Sequence, residues 1–363
     1  MSIVDEALSV STLPSLGYPA ELITVLLVAV LSSVFLDLWV HRKSTDIILK
    51  DALGWSVFWV ALALAFSAYL GTRYGEGYAS MFLSGYALEK TLSVDNLMVF
   101  VAVFSAFGIK NKCLEHRILY WGILGALVFR ALFISAGTWL YSFGAWVELL
   151  FAGFLFYTAY LMFKGQDDDD DVDYASHWSV RWAKKVFPVV PALHGKDLIV
   201  GRKTVEQMQN DDPSLASLPK AAFYLTPAFL CLVVIEVTDI MFSFDSVPAI
   251  IAITQDPILV YSAVIFAILG LRNLYFLLAI AVQHLGKLEM WVGVILAYIG
   301  YKLSVKPINE FVAFLHEQYD TMMFTLPKPD HDASLYVVLA CITLGVVHSV
   351  IDAKRNPSTD DAA

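Results

Sequence analysis

Residues 226–251 read TPAFLCLVVIEVTDIMFSFDSVPAII, one apolar segment that carries Glu236, Asp239 and Asp245 where a lipid-embedded helix has hydrocarbon neighbours. An ionised carboxylate at mid-membrane costs about 2.5–3.5 kcal/mol on insertion scales, so three in one segment call for partners or a function. An earlier stretch repeats the device. Residues 85–100, GYALEKTLSVDNLMVF, align with it at an offset of 150, setting Glu89 on Asp239, Ser93 on Ser243, Asp95 on Asp245 and Asn96 on Ser246. The shared pattern is acid-x-x-x-Ser-x-Asp-(Asn/Ser), and two such acidic helices in one apolar chain point to a cation held between them.

Working outward, 58% of the 363 residues are hydrophobic and the mean hydropathy is +0.66, far above a soluble domain, so the chain is read as an all-α polytopic membrane protein. A net charge of −10 leaves no basic stripe to neutralise phosphates and excludes a nucleic-acid partner. No basic n-region precedes the first apolar run, so no cleavable signal peptide is expected. Cys113, Cys231 and Cys341 lie far apart without CxxC spacing and read as small apolar fillers.

Apolar runs near 22–40, 53–71, 78–106, 117–140, 145–163, 221–252, 258–282, 288–304 and 334–352 predict nine transmembrane helices. With the N-terminus outside, seventeen Lys and Arg fall in the cytoplasm and four outside, while Lys90, Arg130 and Arg272 stay in the membrane, which orients the C-terminus inward. RALFISAG from Arg130 matches RNLYFLLA from Arg272. Residues 78–163 thus form repeat one and 220–304 repeat two, and because each holds three spans the second enters from the opposite side. Inverted repeats with a site at their interface are a transporter arrangement. Residues 334–363 supply the last helix and a cytoplasmic tail.

The segment 164–219 is the long cytoplasmic loop. It opens with Asp167 to Asp171 and continues HWSVRWAKKVF, where Trp178, Trp182 and Val186 recur at i, i+4, i+8, the pattern of a short basic amphipathic helix on a membrane surface. The aspartate run reads as a solvated loop, with a cation-collecting mouth or a partner-docking patch as alternatives. The segment 305–333, with His316 and His331, reads as an external loop.

On a helix Glu236, Asp239 and Ser243 share one face, as do Glu89, Ser93 and Asn96, but Asp95 and Asp245 turn off it. An interruption of each acidic helix near 93–96 and 243–248 would bring the second aspartate back, and Pro248 supports it in the second copy. The candidate ligands are therefore Glu89, Asp95, Glu236, Asp239, Asp245, Ser93, Asn96 and Ser243. All are oxygen donors, suited to a hard divalent ion such as Mn²⁺, with Ca²⁺ or Mg²⁺ as alternatives. Lys90, Arg130 and Arg272 are gating or ion-pair charges. Structural ion pairs tying helices together are the competing explanation for the whole set. Asp37, beside His41 and Arg42, reads as interfacial. No GxxxxGK(S/T) is present, so the chain is not expected to be an enzyme that hydrolyses nucleotide.

EKTLSVDN at 89–96, EVTDIMFSFDSVPAI at 236–250, GALVFRALFI and GLRNLYFLLA together resemble the TerC family of integral membrane proteins over residues 20–350. The resemblance implies a nine-helix fold related to LysE-type exporters, a bacterial inner-membrane location, and manganese export in several members. Other members belong to tellurite-resistance operons and work with soluble partners such as TerB. The family's acidic site maps to Glu89, Asp95, Glu236, Asp239 and Asp245. The long internal segment with Asp167–Asp171 departs from common members and fits the tellurite-operon type. Two readings stand: a divalent-cation exporter, and a membrane anchor that recruits a soluble TerB-like protein through 164–219 and keeps a structural metal site.

Overall fold

The computed structural model describes residues 20–40, 49–164, 174–191, 193, 195–211, 218–219, 221–281, 288–319 and 324–355. Asp167–Asp171 and the side chains of Asp37, Asp95 and His331 lie outside the described residues. Helix α1, Ala20–Val40, belongs to a separate compact unit of residues 1–45. The remaining unit holds α2 (Leu49–Tyr74), α3 (Glu76–Ala106), α4 (Lys112–Tyr141), α5 (Ala145–Lys164), α6 (Trp178–Val186), β1 (Ile199–Gly201), α7 (Arg202–Asp211) and β2 (Phe223–Leu225). It continues through α8 (Pro227–Ile253), α9 (Pro257–Ile268), α10 (Leu271–Ala281), α11 (Leu288–Tyr319) and α12 (His331–Arg355).

Among the described residues, six helices are long and apolar enough to cross a bilayer: α2, α4, α5, α8, α11 and α12. The bent pair α9 and α10 makes seven. Each of the nine expected spans coincides with helix, but α1 and α3 stand outside this group, α3 because Glu89, Lys90 and Asp95 interrupt its apolar run.

The acidic helices α3 and α8 pack against each other; α4 lies along α8, α9 along α3, and α5 along α11. Glycines let these backbones approach, the usual device where lipid supplies no hydrophobic drive between helices. A Cβ on Gly122 or Gly137 of α4 would meet Ile235 or Val247 of α8, and one on Gly300 of α11 would sit 3.3 Å from the Ala152 carbonyl of α5.

Both acidic helices are continuous, which corrects the interruptions expected at 93–96 and 243–248. Ser93 Oγ donates to Glu89 O at 2.7 Å and Ser243 Oγ to Asp239 O at 2.9 Å, so the repeated serine satisfies itself on the helix four residues back. Pro248 is buried within α8 and does not end it. The break falls one span later. α9 and α10 meet at 46° around Leu269 and Gly270, and Gly270 has φ +80°, a conformation only glycine adopts without strain. Helix α11 also runs past Pro307 to Tyr319, so Lys306 and His316 sit on a helix where the external loop 305–333 was expected.

The amphipathic helix expected after 177 is present as α6, with Trp178, Trp182 and Val186 exposed and Val180 and Ala183 buried. His177 caps it by accepting from Ser179 N, and burial, aided by Arg181, lowers its pKa below the usual histidine value. Beyond it the segment folds further than a loop. β1 and β2 pair antiparallel in the register Val200 with Tyr224, over a small core of Val190, Val200, Val205 and Tyr224. Thr226 Oγ1 donates to Leu198 O at 2.9 Å and caps α8, which fixes this module to the start of the second acidic helix.

Candidate cation site

Arg130 of α4 stands between the two acidic helices. Its Nη2 lies 2.9 Å from Asp239 Oδ1 and its Nε 3.3 Å from Oδ2, a two-pronged contact, while Nη1 pairs with Glu89 Oε1. All three residues are buried, Glu89 completely. A guanidinium bridging two desolvated carboxylates is geometrically strong because its fork matches their planes. The aligned positions Glu89 and Asp239 are therefore neighbours through one tethered cation. Beside them a cavity of about 20 Å³, lined by Gly122, Ala126, Arg130, Asp239, Ile268 and Leu271 among others, has room for roughly one water. Ile268 and Leu271 flank the bend and make the cavity wall beside the charges largely apolar.

The other expected ligands are distributed differently. Glu236 lies on the bare backbone of α4, where a Cβ on Gly125 would fall 2.0 Å from its Oε1, and its Oε2 has no hydrogen-bond partner. Asp245 accepts from Thr158 Oγ1 of α5 at 3.1 Å, on a different side of α8 from Asp239, as the turn of an unbroken helix dictates. Ser93 and Ser243 spend their hydroxyls on backbone carbonyls, and Asn96 is buried on α3. Among the described residues no three Asp, Glu, His or Cys side chains converge on one point. Of the eight expected ligands Asp95 lies outside the described side chains; Glu89 and Asp239 meet at Arg130, and the uninterrupted helix turns Asp245 toward Thr158.

Arg130 and Arg272, which the sequence match sets against each other, have different surroundings. Arg272 Nη1 lies 3.4 Å from His116 Nδ1 of α4. Lys90 reaches away from the acids and donates to the Ala267 carbonyl at 3.1 Å. That carbonyl belongs to the last turn of α9, where the bend removes its helical partner. Replacing Lys90 with Met is expected to lower stability by about 1.5–3 kcal/mol, the range for a hydrogen bond from a charged donor, in denaturant-titrated unfolding in detergent. Wild-type stability in that variant would remove Lys90 as the staple of the bend.

Three residues escaped the sequence reading. Thr158 and His116 carry no signal a single sequence reveals. Glu148 did carry one: it is an acid inside the 145–163 apolar run, and it is buried with Lys306 Nζ 3.0 Å away.

A bundle of membrane-crossing helices with a buried arginine clamped between paired acidic helices defines a polytopic membrane protein with an intramembrane charge site. The model of the integral membrane protein TerC family matches residues 74–357, and the chain belongs to that family. It is 46% identical over 345 residues to "Tellurium resistance protein TerC" of Alcaligenes sp., covering 94% of this chain and 96% of that one. It is 44% identical over 341 residues to the protein of that name from Serratia marcescens, covering 93% and 95%. "Putative membrane-bound redox modulator Alx" of Escherichia coli K12 is 33% identical over 286 residues, 77% of this chain and 83% of that one. No solved structure matches.

Proposed function

We propose that this protein is a bacterial inner-membrane exporter of a hard divalent cation of the Mn²⁺ class, contributing to metal or tellurium resistance, with its N-terminus outside and its C-terminus in the cytoplasm. The observation that carries the reading is the seat of Arg130: Glu89 and Asp239, one from each acidic helix, already hold a positive charge in a dry site. Two carboxylates match one divalent ion, and Arg130 is the internal competitor that holds the empty carrier closed. On loading, the substrate ion takes the place of the guanidinium, and Glu236, on α8 with Asp239 and with an Oε2 that has no hydrogen-bond partner among the described residues, offers a further oxygen. Oxygen-only donors favour Mn²⁺, Mg²⁺ or Ca²⁺ over copper or zinc.

The packing supports two copies in alternation. The second helix of each proposed repeat lies on the acidic helix of the other, α4 on α8 and α9 on α3, while the third helices α5 and α11 face each other. Such an exchange is what a pseudo-twofold relation between inverted copies produces, and rocking one copy against the other would open the small cavity. The relatives named for tellurium resistance supply the physiological context. The test is efflux from proteoliposomes loaded with Mn²⁺ and an internal quenchable dye. The wild type is expected to release the ion, and Asp239→Asn to reduce the rate by about ten-fold or more, the effect of losing one charge partner worth roughly 1.4 kcal/mol or more. Wild-type vesicles that retain Mn²⁺, Mg²⁺ and Ca²⁺ alike would end this reading.

A second reading has its own observation. The folded module of α6, β1, α7 and β2, with Trp178 and Trp182 exposed, is a surface to which a soluble TerB-like partner could dock. It makes the protein a membrane anchor with a structural charge site, and it is the reading left if vesicles hold their ions while the module still captures that partner.

A further inference from the structure

A second polar cavity, of about 330 Å³, lies at the end of the bundle marked by the turn between α4 and α5. Its lining brings together Lys302 and Lys306 of α11, Lys328 of the segment before α12, Glu148 of α5, Asp256 at the start of α9, and Tyr78 of α3. Three lysines thus face two carboxylates, and both carboxylates are engaged. Glu148 is paired with Lys306 at 3.0 Å, and Asp256 accepts from Ile258 N at 3.0 Å as the cap of α9. Among the described residues neither Lys302 nor Lys328 is within salt-bridge distance of a carboxylate, although Asp330 is near enough to attract Lys302.

Lys302 is the unusual one. Only 4% of it is exposed, and its Nζ donates to the Ser334 hydroxyl at 2.8 Å, a neutral partner. Lys328 is close enough to repel it, and Asp330, outside the lining, close enough to attract it. A buried ammonium with a neutral partner and a like charge nearby is expensive unless an anion completes the site. The cavity is far larger than a halide needs and falls within the range of small-molecule sites. Trp139, Phe143 and Trp146 stand exposed around the neighbouring turn, and Phe311, Phe314 and Tyr319 on the outer end of α11. Aromatic belts of this kind mark the headgroup level of a bilayer, where phosphate is the abundant anion.

We propose that this cavity binds a phosphate-bearing anion, with the ammonium groups of Lys302 and Lys328 as its charge partners, the phosphate coming from a lipid headgroup or from solution. The site is separate from the Arg130 cluster and does not depend on the transport reading. Lysine serves phosphate as a point charge, and two ammonium groups that repel each other are stabilised together by one anion between them.

The experiment uses the full-length protein in a nonionic detergent. Thermal unfolding is followed as inorganic phosphate is titrated against sodium chloride of equal ionic strength, and as short-chain phosphatidylglycerol is titrated against the corresponding diacylglycerol. At least one of the two phosphate compounds is expected to stabilise the wild type above its control; stabilisation by phosphatidylglycerol alone assigns the lipid source, and by inorganic phosphate the soluble one. Lys328→Gln is expected to weaken the response about five-fold, the loss of one partly exposed charge partner, and Lys302→Gln to weaken it further. Lys328 is exposed, so its variant retains the fold even if the Lys302 variant does not. Stabilisation by neither compound, or a Lys328→Gln response equal to wild type, overturns the proposal.

Discussion

Arg130→Gln is expected to destabilise the protein by about 3–5 kcal/mol, the cost of removing one partner from a buried ion pair and leaving the others uncompensated. Here the loss strands two carboxylates. Glu89 and Asp239 both depend on the one guanidinium, and both are buried, Glu89 completely. The helices α3, α4 and α8 meet at this point, so the effect should spread through the bundle and not stay local. Denaturant-titrated unfolding in detergent measures it. The triple variant Arg130→Met, Glu89→Gln, Asp239→Asn should recover much of the loss, since replacing a whole buried charge set is far milder than breaking it. A single-variant cost below about 1 kcal/mol would mean that the guanidinium does not balance these acids.

Gly270→Ala is the second large effect, about 2–6 kcal/mol, from two costs that add. A non-glycine residue at φ +80° is strained by about 1–3 kcal/mol. The new Cβ would also fall 2.3 Å from Trp59 Cδ1 and 2.6 Å from Cγ, overpacking worth about 1–3 kcal/mol. Trp59 is 1% exposed and its indole has nowhere to retreat. Combining the change with Trp59→Ala should therefore cost less than the sum of the two single variants. Strict additivity in that double-mutant cycle would separate the glycine from the tryptophan. Both predictions bear on function, because Ile268 and Leu271 at this bend line the small cavity beside Arg130.

Several features were readable from residue patterns alone. The carboxylates at Glu89 and Asp239 stand out against apolar neighbours at a 150-residue offset, and in the structure both pair with Arg130. The i, i+4, i+8 spacing of Trp178, Trp182 and Val186 marks α6, and its exposed apolar edge is found there. The site of the break was misread. Pro248 looked like a helix breaker, yet α8 runs through it, whereas Gly270, followed by Arg272 and Asn273 inside an apolar run, was the true signal. A proline removes one hydrogen bond, which a packed membrane helix tolerates, but a positive φ redirects the chain.

Composition, hydropathy and helical periodicity act over a few residues, and for that reason the chain by itself determined that it is a membrane-embedded helical protein with two matched acidic helices. Which cation those acids meet was decided only in three dimensions. Arg130 lies 109 positions from Asp239, and Arg272 lies 156 positions from His116. In a low-dielectric interior an ion pair forms where helix packing brings charges within a few ångströms, and glycines such as Gly122, Gly125 and Gly137 set how closely α4 approaches α8. That approach belongs to the assembled bundle, and it is what sets Arg130 between Glu89 and Asp239 while Arg272 meets His116.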